Sequence, residues 1–405
     1  MENIKILIMG SDANAYHMAR SAYEAFQIKP HLIGKSRLAF TKFSNILTIQ
    51  YNDYLWDEEK FVEIVNEYAR KNILFKILLI STNETYSMFI AKNKRKLETN
   101  LYFFEQDEKV LASLTNKENF YKTYKKSVLK FPDTYYFDVL NDNIIPSLTY
   151  PVVLKPSNVV KYNHISFLDK HKIYKLKTEE ELKTVIRTIK DSGYDDRLII
   201  QEFIPGDDSY LFDSVVYVDR SGLVKMISFA NIGIQERSKT MVGNAAALIN
   251  GFNPFDGDVA QMKSDIISFM SDLKMSGIYE FDMKYDSRDH TFKVLEINAR
   301  QGRCSYYTTP LGANLVELMV RDLINHEVLE FNDLRDEYLL SFVPKQIIKK
   351  YVSNEAFKKK ALELWKKKRV SPMECPKDKN FKRFLMMKKR LWHYSKEYKN
   401  SYWEE

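Results

Sequence analysis

The stretch GIYEFDMKYDSRDHTFKVLEINARQGR, residues 277–303, reads as two strands joined by a polar turn. Side chains along a strand alternate between faces with a period of two. In the first strand Tyr279, Phe281, Met283 and Tyr285 share one face, while Glu280, Asp282 and Lys284 share the other. In the second, Glu296 and Asn298 share a face, and Arg300 follows at the same spacing. Two carboxylates and an amide therefore converge beside an arginine. Oxygen ligands of that kind suit Mg²⁺, which is commonly held by one or two carboxylates together with substrate phosphates. An ordinary hairpin with one charged, solvated face reads the same way, so the surrounding chain has to decide.

At 405 residues the chain is long enough for two to three domains. It has 14% aromatic residues, 12 Gly and 11 Pro, a composition of folded rather than disordered protein. Cys304 and Cys375 are the two cysteines, spaced for neither a disulfide framework nor zinc, which fits a reducing compartment. The apolar run in MENIKILIMG is too short for a signal peptide, and no stretch approaches the ~20 apolar residues of a membrane span. A cytoplasmic protein is expected. The net charge of +8 is uneven: residues 345–405 hold 19 Lys and Arg against 7 Asp and Glu, so the tail is basic and the remainder slightly acidic. That distribution gives no reason to expect nucleic-acid binding by the whole molecule.

Working back to the start, IKILIM at 4–9 reads as a buried parallel strand, followed by Gly10 and a helical pattern through Phe26. HLIGKS and ILFKILLIST are further strands, with helices at 60–71 and 82–96. The alternation predicts an α/β domain over 1–110. It lacks the GxGxxG dinucleotide fingerprint. Further on, LTNKENFYKTYKK predicts a basic, aromatic helix, and YPVVLKPS a strand ending at Lys155. Thr178 with Glu181 forms a capping box, and RLIIQEFIPGDD is a strand entering a turn.

Three features now stand in order: a lysine ending a buried strand, a QEFIPG turn with acids after it, and Asp282 followed by Glu296-x-Asn298-x-Arg300. In this order the chain resembles the ATP-grasp ligases over roughly 110–330. The resemblance implies an α/β (α+β) fold with a Rossmann-like pre-ATP-grasp domain at 1–110. It further implies a small subdomain at 111–204 and a large one at 205–330, leaving a basic helical extension at 331–405. It implies ATP and two Mg²⁺ ions, with Asp282, Glu296 and Asn298 as metal ligands. Lys117 and Lys155 would meet the phosphates as point charges. Gln201, Glu202, Phe203 and Ile204 would form the adenine hinge. Asp208 would bind the ribose, with Asp207 the close alternative. Arg300 would stabilise an acyl phosphate.

GSDANAY at 10–16, MARS at 18–21, FDMKYDSRD and LEINARQGRCSYY resemble the D-aspartate ligase group of carboxylate–amine ligases. Those enzymes couple D-aspartate to the lysine amine of a muramyl peptide precursor of the cell wall. The resemblance implies a substrate edge running from Arg300 through Gln301, Gly302, Arg303 and Ser305. Guanidinium groups bind carboxylates bidentately, so Arg303 and Arg237 are candidates to clamp a small dicarboxylic acid; Arg237 lies in a long loop that reads equally as mobile surface or as a lid with Lys239 near the γ-phosphate. A ligase making another small peptide, or a non-catalytic ATP-binding protein, are the alternatives. One departure is the segment NVVKYNHISFLDKHK, which has no glycine where many superfamily members cradle phosphate; either Lys161, His164 or Lys172 compensates, or the phosphate contacts are fewer. The other is the tail, where Lys runs alternate with Trp365, Phe381, Phe384, Leu385, Trp392 and Trp403. A basic amphipathic helix there can rest on an anionic membrane surface or meet an anionic partner. A solvated helical cap on the core is the simpler reading.

Overall fold

The computed structural model describes residues 3–142, 144–171, 173–237 and 243–400. Three sheets carry the fold. The first is parallel, with strands β1 (Ile4–Met9), β2 (His31–Gly34), β3 (Thr48–Tyr51), β4 (Lys76–Ser81) and β5 (Leu101–Tyr102) in the order β3-β2-β1-β4-β5. β1 is apolar on both faces because both are covered. Ile6 and Ile8 enter one core, Leu7 and Met9 another. Its helices are α1 (Ala13–Phe26), α2 (Glu58–Lys71) and α3 (Glu84–Asn93), capped by Asp12, Asp57 and Asn83. α1 is buried along its whole first half, since it packs into the core shared with the largest sheet. Four alanines (Ala13, Ala15, Ala19 and Ala22) let it approach closely.

Helices α4 (Glu108–Thr115) and α5 (Lys117–Tyr124) follow, the second capped by Asn116. Then comes an antiparallel sheet of β6 (Thr134–Asp138), β7 (Val152–Pro156), β8 (Tyr174–Leu176) and β9 (Arg197–Glu202) in the order β6-β9-β7-β8. It is packed by α6 (Val159–His164) and α7 (Glu179–Asp191). The Thr178 cap holds: its side chain accepts from the Glu181 N–H at 3.2 Å.

The largest sheet takes β10 (Leu211–Val218), β11 (Val224–Ser228), β12 (Ala230–Gln235), β13 (Ala245–Asn250), β14 (Gly277–Asp286) and β15 (Thr291–Asn298). The helices on this stretch are α8 (Val259–Leu273) and α9 (Leu315–Met319). The chain then adds β16 (Asn332–Leu334), β17 (Tyr338–Ser341), α10 (Lys345–Tyr351), α11 (Glu355–Leu364), β18 (Arg369–Val370) and α12 (Phe381–Asn400). β14 lies between β10 and β15, and β17 pairs with β13.

Two boundaries expected from sequence differ. Residues 331–405 are not a purely helical extension, because β16, β17 and β18 complete the large sheet. These strands are two to four residues long, too short for a period to register. At the other end, Leu111, Leu114, Phe120 and Tyr121 share a core with Phe281, Met283 and Ile297, so α4 and α5 pack on the large sheet rather than the small one. Among the described residues no helix is long and apolar enough to cross a membrane.

Candidate active site

The hairpin β14–β15 puts its aromatic face into the core, where Tyr279, Phe281, Met283 and Tyr285 are buried. The other face meets two neighbours. Asp282 stands opposite Asp213 on β10 and opposite Glu296 on β15, and Glu280 stands opposite Asn298. Directly opposed residues on one sheet face lie about 5 Å apart at Cβ, so three acids form a row across three strands. Like charges so placed repel. Burial, and then Glu280 and Glu296, push the Asp282 carboxyl well above its usual range. Burial, and then Asp213, do the same to Glu280. Two cationic or amide groups already answer this row. The Lys117 ammonium donates to Glu296 Oε2 at 2.9 Å, and Asn298 Nδ2 donates to Asp282 Oδ2 at 3.1 Å. Among the described residues no three His, Cys, Asp or Glu side chains gather as a metal site, so a divalent ion here would depend on Asn298 and substrate phosphates besides Asp282 and Glu296.

Past β15 the chain runs beneath the first sheet. β1 lies between β2 and β4, so the loops after β1 and β4 diverge and leave a crevice at their carboxyl ends. Residues 300–303 occupy that position. Asn14 Nδ2 donates to the Gln301 carbonyl at 2.7 Å, and Gln301 Nε2 donates to the Ser81 carbonyl at 2.8 Å. Arg300 pairs with Glu84 at the start of α3 at 2.6 Å, with Asn298 Oδ1 at 3.5 Å. Asp12 lies close enough to feel both Arg300 and Arg303, and burial still raises its carboxyl. Arg303 pairs with buried Glu236 at 2.6 Å and lies 4.1 Å over the Phe342 ring. Among the described residues, Arg300 Nε and Arg303 Nε and Nη1 are buried without a hydrogen-bond partner.

His17 faces the same segment. Its Nε2 lies 3.0 Å from the Gly302 carbonyl and donates to it in the neutral ring. Burial pushes its pKa down from 6.5 to about 3. The unfolded chain therefore binds the extra proton. Stability from this histidine is present above about pH 6.5 and is lost as pH falls toward about 3. His17→Gln keeps a donor without the titration. Thermal melts at about pH 7 and about pH 5 should show a smaller loss for the variant than for the parent. Equal losses would remove His17 from the acid response.

On the nucleotide side, Lys155 Nζ lies 5.4 Å from the Tyr121 ring of α5, on the helix that begins with Lys117. The N–H groups of Glu202 and Phe203 are bonded to the Asp133 and Pro151 carbonyls, at 2.9 and 3.3 Å. The Glu202 side chain accepts from Lys293 at 2.8 Å and Arg288 at 2.7 Å, tying the small sheet to the large one. Gln201 is buried and donates to Thr134 Oγ1 at 2.7 Å. The Glu202 and Gln201 side chains are thus held by other parts of the protein, and Ile204 is buried. Asp208 accepts from the Gln235 N–H at 2.9 Å and lies 3.5 Å from Arg237. Asp207 instead caps the turn through Ser209 and reaches Ser353. Arg237 thus stands beside Asp208.

Two more expectations are corrected. Ser305 donates to the Gly302 carbonyl at 2.9 Å and is fully buried, so its hydroxyl closes a turn rather than facing a substrate. Lys161 does not turn toward phosphate, since it pairs with Asp195 at 3.1 Å and Asp196 at 3.4 Å. Lys239 and Lys172 lie outside the described residues. Gly302 has a steric reason: a Cβ there would fall 1.3 Å from Glu280 Oε2.

Several participants escape a reading of the sequence. Asp213, Asp12, Glu84, Glu236 and Tyr394 come from distant elements. Lys284 had a signal, since it shares a face with Glu280 and Asp282. Its ammonium donates to the Gly206 carbonyl at 2.7 Å and lies 5.2 Å from the Phe203 ring, with burial pushing its pKa down to about 8.

No protein-family model matches the chain. A curated relative does. The D-aspartate ligase of Enterococcus faecium (strain Aus0004) is 30% identical over 407 residues, covering 97% of this chain and 95% of that protein. The chain belongs to the D-aspartate ligase family. Solved structures share its α/β ATP-grasp fold. An L-amino acid ligase from Bacillus licheniformis superposes with a TM-score of 0.56 at 17% identity, covering 79% of this chain and 74% of that one. An N5-carboxyaminoimidazole synthetase from Staphylococcus aureus gives 0.59 at 14% identity, covering 83% and 81%. This ATP-grasp carboxylate–amine ligase has the fold and family that the Lys155, QEFIPG and ExNxR features implied.

Proposed function

We propose that this ligase activates the side-chain carboxylate of D-aspartate with ATP and transfers the acyl group to the lysine side-chain amine of a muramyl peptide precursor of the cell wall. The carboxylate oxygen attacks the γ-phosphorus and ADP leaves. The amine then attacks the acyl phosphate carbon, phosphate leaves, and the amine gives up a proton.

The reading rests above all on the buried N–H groups of Arg300 and Arg303, three residues apart, that lack partners among the described residues. Buried donors without acceptors are costly, and anions satisfy them. An amino diacid brings two carboxylates and one ammonium. Arg300 would hold the reacting carboxylate and its acyl phosphate, and Arg303 the second carboxylate. Asp12 and Glu84, at the mouths of β1 and β4, are suited to the ammonium. Lys117 and Lys155 would hold the ATP phosphates, and Asp208 the ribose. A magnesium ion held by Asp282, Glu296 and Asn298 would neutralise phosphate charge during transfer. The identity of the acid follows the Enterococcus relative, a D-aspartate ligase.

Phosphate release should require ATP, Mg²⁺, D-aspartate and a lysine-containing muramyl peptide together. L-Aspartate and D-asparagine should give little. Release that depends on another acid would reassign the substrate, and no ATP binding at millimolar Mg²⁺ would overturn the whole reading.

A further inference from the structure

The C-terminal helix α12 carries a surface that the ligase chemistry does not use. Its inner face is fixed. Met387, Tyr394 and Tyr398 enter the main core, and the Tyr394 hydroxyl donates to Glu236 at 2.9 Å. Arg383, 3% exposed, pairs with Asp378 at 2.9 Å. Asp378 in turn accepts from Tyr16 and Ser44 at 2.8 Å, which ties the helix start to the first sheet's loops.

The outer face is unusual for a helix so anchored. Phe381 is 73% exposed, Phe384 54%, Leu385 52% and Trp392 65%. At 3.6 residues per turn, Phe381, Leu385, Lys388, Trp392, Lys396 and Lys399 fall on one stripe, opposite Arg383 and Tyr394. Single exposed apolar residues are ordinary; four on one face within twelve positions are not. The helix holds seven Lys and Arg and one acid, Glu397. A neighbouring loop extends the pattern. Phe43, 40% exposed, lies 5.0 Å from Lys42 Nζ and 5.9 Å from Lys382 Nζ. The loop is fastened to the helix start by Asn45 Nδ2, which donates to the Lys379 carbonyl at 2.7 Å.

We propose that the outer face of α12, with Phe43 beside it, docks on an anionic lipid bilayer. Aromatic and aliphatic side chains along the midline with lysines around them match a helix lying in the plane of the interface. The apolar groups enter the acyl boundary while the ammonium groups stay at the level of the head groups. A second copy is a poor occupant, because a two-fold contact through this face would set lysines against lysines. Nucleic acid would answer the charge but leaves the aliphatic Leu385 unrewarded. The docked helix holds Glu236, and through it Arg303, so the surface sits on the same rigid element as the substrate edge.

The test is flotation of the full chain with vesicles of phosphatidylcholine alone or mixed with phosphatidylglycerol. Binding is expected only to the anionic vesicles, falling about tenfold as salt rises from low to high ionic strength. Trp392 emission should shift to the blue on binding. The combined Phe381→Ser, Leu385→Ser, Trp392→Ser variant and the Lys388→Glu, Lys389→Glu variant should each lose vesicle binding. Both should keep the parent's circular dichroism and its phosphate release in solution, since none of these side chains touches the site. Equal binding to neutral vesicles, no binding to either, or full binding by both variants would overturn the proposal. So would a dimer, or oligonucleotide binding, that these variants abolish while vesicle binding is absent.

Discussion

Replacing Glu296 by Gln should abolish ligase turnover while the chain remains folded. The substitution keeps shape and removes one charge from the acid row. A lost metal ligand in phosphoryl transfer costs several kcal/mol, a drop in kcat of about a thousandfold or more. Stability should barely move, for two opposing reasons. The Lys117–Glu296 pair is lost, but its side chains are 26% and 41% exposed, and such pairs contribute about 0–1 kcal/mol. Against that, Asp282 is relieved of a repelling neighbour. Steady-state phosphate release and a thermal melt, with and without Mg²⁺, check both halves. An active Glu296→Gln enzyme would take the metal site away from this hairpin.

Replacing Arg300 by Lys should lower kcat by about 10²- to 10³-fold, corresponding to about 3–4 kcal/mol of lost transition-state stabilisation, with little change in the KM for ATP. The charge is kept, so Glu84 and Glu280 retain a cationic neighbour. What is lost is the planar fork that an acyl phosphate can accept from, which an ammonium cannot reproduce. Single-turnover phosphate release separates the chemical step from nucleotide binding. If the KM for ATP rises and kcat is kept, Arg300 belongs to the nucleotide side and not to the acyl group.

Much of this site was legible before any coordinates. The alternation in β14 separates three aromatic side chains and Met283 from Glu280, Asp282 and Lys284, because a half-buried strand must send one face inward. The spacing Glu296-x-Asn298-x-Arg300 puts an acid, an amide and a guanidinium on one side for the same reason. The cap at Thr178 was equally local, since a side-chain oxygen reaches only the next turn. Residues whose roles depend on bonding elsewhere were not legible. The Glu202 carboxylate is one: Arg288 and Lys293 claim it from the turn and strand of another sheet. Ser305 looked like a substrate group, yet its hydroxyl satisfies a carbonyl three residues back.

The sequence alone therefore determined the parts that are periodic or short in range. These are the parallel first sheet, the hairpin with its two faces, the order of the lysine strand, hinge and acid pair, and the basic charge of the tail. Tertiary structure decided which acids stand together: Asp213 beside Asp282, Glu84 on Arg300, and Glu236 between Arg303 and Tyr394. It also decided that the tail's strands close the large sheet and that α12 turns Trp392 outward. The physical reason is the same in each case. Local pattern specifies which face of an element is apolar, but a buried charge needs a partner, and only the packing of distant elements brings that partner within reach.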